Sequence, residues 1–378
     1  MHLKDLHETF GQSVWLDYIR RKMLSDGELR KLVEVDGLRG VTSNPTIFQK
    51  AIGGSDDYEQ TIHRLGVERD ATAGTIYEQL AVEDIQSAAD ILRSVYDASE
   101  RADGFVSMEV SPTLAHDTEG TLAEARRLWR KVERENLMVK VPATPEGVPA
   151  IQQLISEGIN INVTLLFARA ACARVFEAYM AGLERFIAQG GDPRRVSSVA
   201  SLFVSRIDTA INPLLEAELP AGREAEREAR RKLIGKVAIA NSQLAYQDWK
   251  EACRGTRWRK LAQQGARPQR LLWASTGTKD PRMSDVAYVE ALIGPDTVDT
   301  LPPATLQAFL DHGSAANRLE EGVPEASQVL AALAETGISL EQITDRLVTE
   351  GVQSFAKSFE ELMSTLEQKR VQLKKARS

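Results

Sequence analysis

Short apolar or β-branched runs alternate with long amphipathic segments almost from end to end of the chain. That alternation is the pattern of strands feeding crossover helices, and it predicts an α/β fold. The runs are Val14–Asp17, Gly40–Ser43, Gly104–Val110, Leu137–Pro142, Asn160–Leu165, Ser197–Phe203, Arg270–Ser275 and a weaker one around Thr297–Leu301. Eight strands separated by helices fit a closed (β/α)8 TIM barrel, which typically occupies ~250 residues and tolerates insertions. The whole chain, 1–378, is therefore expected to form a single barrel domain. Helix starts are predicted at Ser25-Asp-Gly-Glu28, read as a capping box, and at Thr144-Pro145-Glu146, where a cap precedes a proline.

Two stretches exceed what a barrel needs. Residues 212–269 are too long for one crossover and contain the run Arg223-Glu-Ala-Glu-Arg-Glu-Ala-Arg-Arg without helix breakers, so they predict a helical insertion outside the barrel. Alternating charge of this kind reads as a solvated helix face before it reads as a partner-binding surface. Residues 341–378 form a C-terminal helical segment, in which Val352, Phe355, Phe359, Leu362 and Leu366 recur at helical spacing. The stripe predicts one face packed on the body over Glu350–Lys369, with a lid over the barrel mouth as the alternative. Lys374–Ser378 reads as a frayed tail. There is no internal repeat.

Composition narrows the partners. With 43% hydrophobic and 27% charged residues the chain can bury a large core, and its formal net charge of −7 argues against nucleic acid or an anionic membrane. An anionic substrate must then be held by a few local cations. Cys172 and Cys253, the only cysteines, provide no disulfide framework and no paired metal site. No signal-peptide core and no membrane-length apolar run is visible, so the reading is a cytoplasmic protein. The histidines at 2, 7, 63, 116 and 312 lack metal-ligand spacing, and neither a dinucleotide fingerprint nor a phosphate-loop motif follows any strand. Neither a metal nor an external cofactor is expected.

The candidate chemistry lies where strands break their own apolar rule. Lys140 interrupts Leu-Met-Val-Lys-Val-Pro, and Glu109 interrupts Phe-Val-Ser-Met-Glu-Val. Asp17 ends Val-Trp-Leu-Asp, Asn44 follows Val-Thr-Ser, and Asn162 and Thr164 sit in Ile-Asn-Ile-Asn-Val-Thr-Leu. All fall at or near predicted strand ends, where barrel active sites are built. Burial disfavours the charged form of Lys140, which favours a free amine able to attack a carbonyl; the alternatives are a snorkelling lysine or a structural Lys–Glu pair. Glu109 and Asp17 are suited to proton transfer around a Schiff base, or else to ion pairing at strand ends. Asn44, Asn162 and Thr164 suit substrate hydroxyls or a water, or simply turns. Ser201-Leu-Phe-Val-Ser-Arg206 and Ser275-Thr-Gly-Thr-Lys-Asp280 each set hydroxyls, amides and a cation just past a strand, a combination that binds phosphate. His116, after a strand, is near enough to matter but reads more simply as a solvated loop residue.

The chain resembles the transaldolases, in their longer bacterial branch. The likeness runs through Trp15-Leu-Asp-Tyr-Ile-Arg20, Val41-Thr-Ser-Asn-Pro-Thr-Ile-Phe48, Leu80-Ala-Val-Glu-Asp-Ile85, Gly104–Pro112, Leu137–Thr144, Gly158–Phe167 and Ala200–Asp208. The resemblance implies cofactor-independent transfer of a dihydroxyacetone unit from sedoheptulose 7-phosphate to glyceraldehyde 3-phosphate, giving erythrose 4-phosphate and fructose 6-phosphate in the pentose phosphate pathway. It implies Lys140 as the Schiff-base lysine, Glu109 working with a water held by Thr164, and Asp17 taking the hydroxyl proton during carbon–carbon cleavage. Asn44 and Asn162 would hold the dihydroxyacetone hydroxyls, and Ser201, Arg206 and Ser275 the phosphate. One departure stands out: shorter transaldolases carry an arginine two residues after the equivalent of Ser275, and here Lys279 is expected to supply that cation as a point charge instead of a planar fork. The rival readings are an aldolase that releases free dihydroxyacetone and a non-catalytic barrel that binds a sugar phosphate.

Overall fold

The structure, a computed structural model, describes residues 3–218 and 223–375. Eight parallel strands close on themselves in chain order: β1 Gln12–Asp17, β2 Gly40–Thr42, β3 Phe105–Glu109, β4 Leu137–Pro142, β5 Ile161–Leu166, β6 Ser198–Phe203, β7 Arg270–Ala274 and β8 Thr297–Leu301. Each lies within two residues of the run the hydrophobic pattern marks. β1 pairs with both β2 and β8, which completes the (β/α)8 barrel. Every residue of β3, β4, β5, β6 and β8 is buried, as expected of strands covered by side chains within and helices without.

The N-terminal end of the barrel is plugged by a polar cluster. Asp103 accepts from Ser13 Oγ (2.6 Å), Trp15 Nε1 (3.1 Å), Arg39 Nε (2.8 Å) and an Arg270 guanidinium nitrogen (3.0 Å). Burial opposes the charge of Asp103, yet Arg270 and Arg39 hold its carboxyl below the usual range. Gly40 lets β2 approach here, because a Cβ at that position would lie 2.5 Å from the Trp15 ring. With this end sealed, only the C-terminal ends of the strands are left to hold a ligand.

Among the described residues, β6 and β7 are joined by helices Ser205–Glu216, Glu224–Arg231, Val237–Arg254 and Thr256–Gln263. The charged helix Glu224–Arg231 has no buried residue and is laced by pairs such as Arg230–Glu226 at 3.1 Å. Helix Val237–Arg254 is instead half core. Asp208 accepts from its Ala238 amide (2.9 Å), and Asn241 donates to the Phe167 carbonyl beyond β5 (2.9 Å).

The last helix, Leu340–Lys375, buries Phe355, Leu362 and Leu366 of the predicted stripe, with Val352 and Phe359 half-buried. It is pinned by Thr46–Ser358 (2.8 Å), Lys369 to the Ser55 carbonyl (2.8 Å) and Arg370–Asp70 (3.0 Å). Lys374 also pairs with Asp70 (2.6 Å), so the helix runs into the segment expected to fray; residues 376–378 lie outside the described residues, as do Met1 and His2. Among the described residues, no helix is long and apolar enough to cross a membrane.

One predicted helix start is corrected. Ser25 caps nothing: it closes helix Arg21–Ser25 by donating to the Lys22 carbonyl (3.0 Å), and Asp26 accepts from the Glu28 amide (3.1 Å) while Gly27 takes a left-handed turn, φ +87°. The other start is displaced: Thr144 accepts from the Gly147 amide at 3.0 Å, but the helix begins at Gly147 with Glu146 at its N-cap, so Pro145 lies in the preceding turn and not at the first helical position.

Candidate active site

The C-terminal ends of the strands open into a cavity of about 680 Å³, whose wall includes Asp17, Asn44, Lys140, Ser201, Arg206, Ser275, Lys279 and Phe355. Seven of the ten residues singled out in the sequence line this wall, and strand register brings Glu109 and Asn162 beside Lys140. Glu109 pairs with Lys140 across β3 and β4, and Lys140 with Asn162 across β4 and β5, so the three side chains share one layer of the barrel interior.

Lys140 is 4% exposed. Its Nζ lies 3.4 Å from Glu109 Oε2 and donates to the Ser43 carbonyl at 3.3 Å. The Phe355 ring lies over it, 5.8 Å from Nζ to the ring centre. Neither oxygen of Glu109 accepts a hydrogen bond, and the buried Thr164 hydroxyl likewise has no partner among the described residues. Burial pushes the Glu109 carboxyl above its ordinary range, against the pull of Lys140.

Asp17 ends β1 on the opposite wall. Burial raises its carboxyl too, opposed by Lys140 and by Thr42, whose Oγ1 donates to Asp17 Oδ1 at 2.7 Å. Thr300 in turn bonds Thr42 (2.7 Å), fixing that hydroxyl's direction.

Asn162 donates to Ser107 Oγ (3.0 Å) and accepts from Ser201 Oγ (2.7 Å). Ser201, expected with the phosphate ligands, lines the same cavity and donates its hydroxyl proton to Asn162. Asn44 lines the cavity but also caps helix Pro45–Gly53, its side-chain oxygen accepting from the Ile47 amide at 2.9 Å. Only its amide NH₂ is then left for a ligand.

At the rim, Arg206 stands at the start of helix Ser205–Glu216, stacked on Phe203 (5.1 Å) and near Phe355 (5.8 Å). Burial lowers its guanidinium's proton affinity, and Glu109, Asp17 and Glu350 act from a distance to restore it. Ser275 is held with φ +59°, and its hydroxyl is 2.9 Å from Ser205 Oγ. Lys279 is exposed on the same wall. A partly buried guanidinium, two hydroxyls and an exposed ammonium are the kinds of group that suit a dianion.

His116 is not part of this arrangement; it is exposed and paired with Glu146 at 3.2 Å. The sequence reading missed Thr42, Thr300, Ser205 and the direct approach of Phe355 to the lysine. Hydroxyl residues in a strand carry no distinguishing pattern, and the Phe355 stripe left packing and a lid over the barrel mouth both open.

An α/β barrel that seals one end and gathers an amine, two raised carboxyls and a dianion-binding rim at the other has the make-up of a barrel enzyme for amine–carbonyl chemistry. The comparisons with known proteins give the family. The model of the Transaldolase/Fructose-6-phosphate aldolase family matches residues 14–366. The chain is 48% identical over 372 residues to Transaldolase 2 of a Nostoc species, covering 97% of each chain. It is 44% identical over 371 residues to the transaldolase of Trichodesmium erythraeum, again 97% of each. The transaldolase of Thiobacillus denitrificans is 48% identical over 356 residues, 94% of this chain and 97% of its own. The chain belongs to the transaldolase/fructose-6-phosphate aldolase family, and its function is that of a transaldolase.

Proposed function

We propose that Lys140 forms the Schiff base through which this enzyme moves a dihydroxyacetone unit from sedoheptulose 7-phosphate to glyceraldehyde 3-phosphate, in the cytoplasm. The amine attacks the ketose C2 carbonyl, Glu109 protonates the departing hydroxyl, and water leaves a protonated imine. Asp17 removes the proton of the C4 hydroxyl; the C3–C4 bond breaks, its electrons flow into the imine, and erythrose 4-phosphate departs. The resulting enamine attacks the aldehyde carbon of glyceraldehyde 3-phosphate, Asp17 returns the proton, and hydrolysis frees fructose 6-phosphate. The protonated imine is the electron sink, so these residues can carry the chemistry by positioning and proton transfer alone.

The observation that carries the reading is the buried Lys140–Glu109 pair at 3.4 Å, open on the lysine side to the cavity. The Glu109 oxygens, which have the Lys140 ion pair but no hydrogen bond, and the Thr164 hydroxyl without a partner among the described residues support a water held between them. Asn162 and Ser201 suit the dihydroxyacetone hydroxyls, together with Asn44. Arg206, Ser275 and Lys279 suit the phosphate.

Borohydride reduction in the presence of fructose 6-phosphate, followed by peptide mass mapping, tests the assignment. A dihydroxyacetone-sized adduct on Lys140 is expected, and none in Lys140→Ala. An adduct on another residue, or turnover above a trace in Lys140→Ala, would sink it.

A further inference from the structure

Asp299 is a buried carboxyl near the cavity that the proposed chemistry leaves unused. Alternation along β8 turns Thr300 into the barrel, where it lines the cavity, and Asp299 outward to the helical layer. In register, Asp299 lies between Val14 of β1 and Trp273 of β7. Its exposure is 0%, its Oδ2 has no hydrogen-bond partner, and no charged group among the described residues acts on it. Its single partner is Thr276, whose Oγ1 donates to Oδ1 at 3.0 Å. A carboxyl in such a place is costly to the fold.

Thr276 belongs to the turn that presents Ser275 and Lys279 to the cavity. Ser275 occupies the left-handed region, φ +59°, a conformation that costs a non-glycine residue about 1–3 kcal/mol and lasts only where its surroundings over-determine it. On one side, Ser205 donates its amide to the Ser275 carbonyl (3.0 Å) and meets the Ser275 hydroxyl (2.9 Å). On the other, Thr276 is tied to Asp299. Gly277 then passes so close to helix Pro303–His312 that a Cβ there would lie 2.9 Å from Thr305 Oγ1.

We propose that Asp299 is a positioning residue for the phosphate end of the site, holding the 275–279 turn in place through Thr276. The inference rests on the reading that Ser275 and Lys279 bind phosphate. A neutral carboxyl keeps its carbonyl for the threonine proton at no charge cost, and burial, only weakly opposed by Thr276, pushes Asp299 up to about 8. As pH rises past that point, charge must appear between Val14 and Trp273, and a carboxylate drawn towards water strains the Thr276 bond that holds one side of the turn. Its loosening weakens phosphate binding and leaves the lysine layer intact.

The test is steady-state kinetics with saturating sedoheptulose 7-phosphate and either glyceraldehyde 3-phosphate or unphosphorylated glyceraldehyde as acceptor, followed through release of erythrose 4-phosphate. Thr276→Val and Asp299→Leu should raise KM for the phosphorylated acceptor about tenfold while leaving KM for glyceraldehyde within twofold. Asp299→Asn, which keeps the accepting oxygen, should match the parent at pH 7 and lack the parent's rise in KM above pH 8. Thr276→Val guards against the chance that Asp299→Leu fails to fold. Ser275→Ala, measured alongside, separates the two ideas. A selective KM rise in Ser275→Ala with none in Thr276→Val overturns the role of Asp299 alone. No rise in Ser275→Ala overturns the phosphate reading and the inference with it.

Discussion

Asp17 has to be ionised to take a hydroxyl proton, and burial holds its carboxyl above the ordinary 3.8 despite Lys140 and Thr42. As pH falls through that raised value the base is lost, so kcat should decline on an acid limb lying above the usual aspartate range. Asp17→Asn should lower kcat by ~10²–10⁴-fold and flatten the limb. Thr42→Val removes a bond that favours the charged form, so the limb should move to higher pH; a limb that stays put would assign it to another group, with Glu109 next in line. Arg206→Ala, by contrast, should act mainly on KM for phosphorylated substrates, because it removes binding common to ground and transition states. These residues were visible in the sequence because a charge inside an apolar strand run is conspicuous. Asp299 breaks the same rule inside Thr-Val-Asp-Thr-Leu but lies in the weakest strand signal, with threonines on both sides that blunt the contrast. Ser201 was visible as a hydroxyl near a strand end, and the structure adds its bond to Asn162, which sequence spacing does not show.

The C-terminal helix shows why an element can be legible while its function is not. A stripe of Phe355, Leu362 and Leu366 announces a buried face, but periodicity does not say what the face covers. Here its upper part roofs the lysine. Gly351 lies against β5, where a Cβ would come within 2.8 Å of Leu165 Cδ2, and Leu165 itself sits at a bulge with φ +56° directly after Thr164. Gly351→Ala should therefore push the helix away from Thr164 and Arg206 together, lowering kcat and raising KM at once. If the proposed imine forms on Lys140, the Phe355 ring over Nζ would shield it from water and so favour transfer to an aldehyde over hydrolysis. Truncating a buried Phe to Ala costs about 3–5 kcal/mol, so Phe355→Leu is the better probe. It should release free dihydroxyacetone from fructose 6-phosphate several-fold faster relative to transfer, in paired assays without and with erythrose 4-phosphate as acceptor. An unchanged ratio would reduce the roof to packing. The failed capping box at Ser25 has the same origin: Gly27 takes the left-handed turn and Asp26 supplies the bond, two local choices that the four-residue pattern does not rank.

For the whole molecule, the barrel was legible because eight buried strands each need an apolar run, and that demand survives in the order of the chain. The polar plug was not, because Ser13, Arg39, Asp103 and Arg270 meet only once the barrel closes. The plug and Asp299 make opposite contributions to stability as pH changes. Arg270 and Arg39 keep the Asp103 carboxyl below its ordinary 3.8, so its contribution is present above that pH and is lost as pH falls through the folded value. Removing it leaves two guanidinium groups facing a buried hole, and Asp103→Ala should cost about 3–5 kcal/mol at pH 7, seen as a clear drop in Tm. Asp299 is raised, from 3.8 to about 8. Below pH 4 it is neutral folded or unfolded and costs nothing through ionisation. Between the two values only the unfolded chain ionises, so stability drains away as pH rises, and above 8 the loss is constant. Asp299→Asn cannot ionise in either state. Its Tm should therefore equal the parent's near pH 4, exceed it increasingly up to pH 8, and hold a steady margin on the order of 5 °C beyond. A margin that does not vary with pH would mean that the Asp299 carboxyl is charged in the folded protein, and the neutral-acceptor account of the phosphate turn would fall with it.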